Sequence, residues 1–164
     1  MDDQTGISYE HRRGWISDKI KALSETFAID VAAYAVMSNH YHIVLRVDQE
    51  QAESWTPLEV IERWNTFFTL PVLITRFMKD ECATSAELKT VNEIIEKWRT
   101  RLHDISWFMR LLNESIARES NKEDNVTGPG IEDIHNFIRH NLPLIDIFIP
   151  EFDGCPFLSL FYHY

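Results

Sequence analysis

Cysteine is scarce in this 164-residue chain, and Cys82 and Cys155 are far apart. Two such residues do not make the dense framework of a small secreted domain. The opening Met1-Asp2-Asp3-Gln4-Thr5 is acidic and polar where a signal sequence is basic and then apolar. A reducing cytoplasm is the expected setting. Long apolar runs are lacking too: a membrane helix needs about 20 nearly uncharged residues. The most apolar stretch, Leu142 to Tyr164, carries Asp146, Glu151 and Asp153 and is interrupted by Pro143, Pro150 and Pro156. No membrane partner is expected. Gly-rich phosphate loops, Cys-x-x-Cys pairs, nucleophile elbows and internal repeats are missing from the sequence. Positive charge is short as well, with 16 Lys and Arg against 26 Asp and Glu for a net charge of -10. A protein that coats nucleic acid or an anionic membrane non-specifically needs the opposite balance, so only a small, locally cationic site fits.

What is present is the composition of a soluble globular chain, 45% hydrophobic, 12% aromatic and 26% charged, long enough for one domain with a real core. From Tyr9 to Phe27 the apolar residues Ile16, Ile20, Leu23 and Phe27 fall at helical spacing, with Arg12, Arg13, Lys19 and Lys21 on the polar remainder. Asp30 to Met37 and His42 to Val47 read as two strands of an antiparallel hairpin turning at Ser38-Asn39. Thr56-Pro57-Leu58-Glu59 is a capping signature and opens a helix with Leu58, Ile61, Trp64 and Phe68 as its buried stripe, ended by Pro71. Thr84-Ser85-Ala86-Glu87 repeats the signature. A heptad-like run follows: Leu88, Val91, Ile95, Trp98, Leu102, Ile105, Met109, Leu112 and Ile116. It is the core face of one long helix, or of two broken near His103-Asp104, with a dimerising coiled coil as the alternative. Asp104 suits a helix N-cap. Trp64, Trp98 and Trp107 read as core, and Glu93, Glu96 and Lys97 as a solvated helix face. Beyond Gly128-Pro129-Gly130 the periodicity fades.

The chemically informative string is Met37-Ser38-Asn39-His40-Tyr41-His42-Ile43-Val44-Leu45. On a strand, His40 and His42 share one face with Arg46, while Tyr41, Ile43, Leu45 and Val47 point to the opposite, apolar face. Two neutral imidazoles on neighbouring same-face positions can grip one divalent ion if a third ligand comes from elsewhere. By itself His-x-His is a weak signal, and two half-exposed histidines on a strand explain the isolated triplet better. His103, His135, His140 and His163 read more simply as surface or capping residues than as further ligands. Arg12, Arg13, Lys19 and Lys21 on the first helix, with Arg46 on the histidine face, are candidate phosphate contacts, with plain solvation as the favoured alternative.

The whole string resembles the HUH motif of single-tyrosine transposases, and within these the REP-associated tyrosine transposases, whose usual Met-Pro-Asn-His-x-His-aliphatic spelling differs only by proline for Ser38. The likeness extends loosely from Ser8-Tyr-Glu-His-Arg-Arg-Gly-Trp15 through Ile105-Ser-Trp-Phe-Met-Arg110 to Asn121-Lys-Glu-Asp124. It implies an α+β fold, a ferredoxin-like antiparallel sheet with helices on one face plus a long helical segment. It also implies magnesium or manganese held by His40 and His42, and single-stranded or hairpin DNA as substrate. The family nucleophile, a tyrosine in Tyr-x-x-x-Asn, has no counterpart: the nearest position is Phe137 in Phe137-Ile-Arg-His-Asn141. The strand that usually precedes the first helix also has no counterpart, which leaves a sheet edge expected to be unpaired. The expectation is therefore a partial HUH domain over 6–127 with an atypical tail over 128–164, first strand and catalytic helix missing or replaced. Its activity is read as DNA binding without strand cleavage. Two alternatives stay open: a non-catalytic DNA-binding or homodimerising module, and an unrelated metal hydrolase. Charge does not oppose the DNA reading, since residues 1–47 carry six acidic and five basic residues whereas 131–164 carry five acidic and one basic.

Overall fold

The computed structural model describes residues 10–36, 40–123, 151–152, 155–156 and 158–163, and side chains for 14–36, 41–119 and 122. The fold is α+β and mostly helical. In chain order the elements are α1 (Glu10–Thr26), β1 (Ile29–Val36), β2 (His40–Val47), α2 (Gln49–Ser54), α3 (Pro57–Asn65), α4 (Val72–Met78), α5 (Ser85–Leu102), α6 (Ile105–Glu123), β3 (Glu151–Phe152), β4 (Cys155–Pro156) and β5 (Leu158–His163). β1, β2 and β5 form an antiparallel sheet in that order, and β3 pairs with β4 separately. β2 is thus paired on both flanks, on one of them by a strand from the segment set apart as a tail.

The first helix and the hairpin lie where periodicity puts them, while the turn at Ser38-Asn39 lies outside the described residues. Ile16, Ile20, Leu23 and Phe27 of the α1 region are buried against Tyr41, Ile43 and Leu45 of β2 and against Phe108 and Leu112 of α6. Each such aliphatic side chain contributes about 1.5–3 kcal/mol by leaving water. β1 has no clean alternation because a register shift between Val31 and Ala33 inserts one residue, which returns Tyr34 and Val36 to the side of Ile43 and Tyr41. Two positions on the helix side are nevertheless exposed. Tyr34 is 48% exposed on an edge strand, and Val47 is 37% exposed where β2 ends.

Both capping signatures are formed as complete capping boxes, Thr56 with Glu59 and Thr84 with Glu87. The α3 stripe is rotated from the expected one: Val60, Ile61 and Trp64 are buried, whereas Leu58, six positions before Trp64 and so far round the helix, is 52% exposed. Pro71 does not end this helix, which stops at Asn65; instead it N-caps α4. The heptad stretch is two helices. Asp104 caps the second, its Oδ1 accepting from the Ser106 amide at 2.7 Å and its carbonyl from the Phe108 amide at 3.1 Å. His103 closes the first, its Nδ1 lying 3.0 Å from the Arg99 carbonyl oxygen. From Val91 to Ile116 the stripe faces the chain's own core, apart from the partly buried Ile105, and a coiled-coil partner would have to displace that core. Leu88, in the exposed first turn of α5, is 42% exposed. Trp64 stacks on Trp98 with ring centroids 5.0 Å apart, and both are core as expected, whereas Trp107 packs beside them only partly buried. Glu93 and Glu96 are solvated as expected, with Lys89 and Arg99 as their ion-pair partners rather than Lys97.

Two arginines lock the helices together through carbonyl oxygens that helix ends leave without partners. Arg63 donates to Glu25 and Thr26 at the end of α1, at 2.9 and 3.0 Å. Arg99 donates to Ala52 and Trp55 at the end of α2, at 2.6 and 2.7 Å. Among the described residues no helix is long and apolar enough to cross a membrane.

Candidate metal and nucleic-acid site

Alternate residues of β2 separate into two populations. Tyr41, Ile43 and Leu45 are fully buried on the helix side, and the Tyr41 hydroxyl donates to Asn113 Oδ1 of α6 at 2.7 Å. His42, Val44 and Arg46, on the other side, are only partly buried. Their neighbours there by register are Ala35, Ala33 and Asp30 of β1, and Ala33 and Ala35 are small and exposed.

On the other flank, His163 is the register partner of His40, and Phe161 that of His42. Directly opposed residues of an antiparallel pair belong to the same face, with Cβ atoms about 4.5–5.5 Å apart. His40, His42 and His163 therefore occupy neighbouring positions on one face of the sheet. The side chains of His40 and His163 lie outside the described ones; among the described residues no three His, Cys, Asp or Glu side chains cluster closely enough to hold a metal. Sequence reasoning passed over His163 because only strand register joins it to His40, across 123 positions that carry no spacing signal.

Of the candidate phosphate contacts, Arg46 is held by carboxylates on both sides. Its Nε donates to Asp30 Oδ2 at 2.9 Å, and its Nη2 bonds both Asp30 and Asp48, the latter at 3.2 Å. Arg12 and Arg13 sit in the first turn of α1, and their side chains are outside the described ones. Phe137, His135 and His140 also lie outside the described residues. Among the described residues, the tyrosine positions of the sheet fall on the wrong side for a nucleophile beside the histidines. Tyr34 pairs with Ile43 and Tyr162 with Tyr41, so both hold positions on the helix side with Tyr41 itself.

The chain matches no family model, and no curated protein or solved structure is significantly similar to it.

Proposed function

We propose that this chain is an HUH-type single-strand DNA-binding protein, related to ferredoxin-like transposase domains, that holds a divalent metal on its sheet and does not cleave DNA. The observation that carries the reading is the segregation of residue types on the sheet. Three histidine positions share the open face, and the tyrosine positions of β1, β2 and β5 lie on the other. A bound ion would supply Lewis-acid stabilisation of phosphate charge. His40 and His42 would hold it with His163 as third ligand. Three imidazoles suit manganese better than magnesium, which prefers an oxygen shell and gives up its waters reluctantly. Arg12 and Arg13 would contact phosphates from the first helix. Arg46, already neutralised by Asp30 and Asp48, would add least. Among the described residues no tyrosine position shares the face of the metal, so the covalent phosphotyrosine step is given no nucleophile and the reading is binding alone.

Anisotropy of a labelled hairpin oligonucleotide with and without manganese tests this. Manganese-stimulated binding that His42→Ala abolishes is the expected result. Binding indifferent to metal and to His42→Ala would overturn the reading. A covalent protein-DNA adduct that disappears in His40→Ala would overturn its non-cleaving part.

A further inference from the structure

Away from the histidine face, α1, the segment after α3 and α6 enclose a groove of about 490 Å³, a volume within the range of small-molecule sites. Lys19, Arg110, Arg118 and Lys122 line it, with Glu114 and Glu119 as its carboxylates. Four cations to two anions is a local surplus of positive charge in a chain whose net charge is -10.

The pairing within the groove leaves that surplus on two residues, Lys19 and the loosely paired Arg118. Glu114 accepts from Arg110 at 2.9 Å and lies 3.8 Å from Arg118, and Glu119 accepts from Lys122 at 2.6 Å. The Lys19 ammonium stands 4.2 Å above the Phe67 ring, and no carboxylate among the described residues comes within ion-pair distance of it. Burial, and then repulsion from Arg118, hold its pKa below the ordinary lysine value, with Glu114 only partly compensating. A half-buried ammonium beside a second cation is a destabilised arrangement that an incoming anion relieves.

We propose that this groove binds a small phosphate monoester, its dianionic phosphate seated between Lys19 and Arg118 and its organic part lying in the groove along α6. The phosphate dianion matches the surplus of two charges, and the volume exceeds what a bare phosphate fills. The proposal stands independently of the sheet-face reading.

Calorimetric titration of the full chain with adenosine monophosphate and, separately, with inorganic phosphate tests it. Saturable binding of the monoester is expected, tighter than that of phosphate. Lys19→Met and Arg118→Gln should each weaken it about tenfold, the loss of one charge-assisted hydrogen bond. The bound monoester should also slow acetylation of Lys19 by acetic anhydride, read by peptide mass spectrometry, which a merely structural lysine would not show. Thermal melts establish that both variants remain folded. No saturation by the monoester at millimolar concentration, or unchanged affinity in folded Lys19→Met, would overturn the proposal. Equal affinity for inorganic phosphate would overturn the part that concerns the organic group.

Discussion

The two faces of β2 come from alternate residues of one eight-residue strand, yet they obey different physics. On the helix side Tyr41, Ile43 and Leu45 are wholly removed from water, and the single polar atom among them is matched to Asn113. On the other side, His42 and Arg46 stay partly in water, and Arg46 is held by ion pairs that remain solvated. The buried face has chemistry that only packing uses. The open face has side chains whose chemistry is costly to bury and useful to expose. In one strand, stability and candidate function are thus separated by the direction of a Cα–Cβ bond.

Paired substitutions test this contrast most strongly. Ile43→Ala should destabilise the fold by about 2–5 kcal/mol in urea unfolding, whereas its neighbour His42→Ala should change stability by less than about 0.5 kcal/mol. Comparable losses would mean that the open face is part of the core. A smaller effect is expected of Tyr41→Phe. It removes one hydroxyl and leaves Asn113 without its partner, at a cost of about 1–3 kcal/mol. A neutral result would show that water or another group replaces that bond. The smallest effect belongs to neither face and calibrates both. The Glu87 pKa is lowered, first by the Arg76 hydrogen bond and then by Thr84. Its stabilising contribution is therefore complete above the ordinary carboxylate pKa and fades as pH falls through that value toward the folded one. The stability gap between wild type and Glu87→Gln should stay constant near neutrality and shrink below about pH 4. A gap that widens in acid would reverse the assignment.

What the sequence makes legible follows from the range of each signal. The capping boxes at Thr56 and Thr84 and the break at Asp104 were readable because they span three or four residues. The hairpin was readable because its two strands are neighbours. Helices α2 and α4, of six and seven residues, are too short to show a period. Leu58 and Leu88 fit an apolar stripe, but each lies in the first turn of its helix and is left exposed. Arg63 and Arg99 look like ordinary surface cations until the fold brings foreign carbonyl groups to them. At the candidate site the pair His40 and His42 stands out locally, while His163 depends on a strand register that no local pattern encodes.

The bond between Tyr41 and Asn113 closes a span of 72 residues. Between them lie α2 to α5 and the first part of α6, of which α2, α3 and α4 all pack against α5. The alignment of β2 over α6 must wait until that intervening chain has been gathered in, and a connection of such length raises contact order and slows folding. Tyr41→Phe should accordingly speed unfolding more than it slows folding, as expected of an interaction made after the rate-limiting step. The sheet surface bearing the histidines would then be among the last parts of the molecule to reach its working shape.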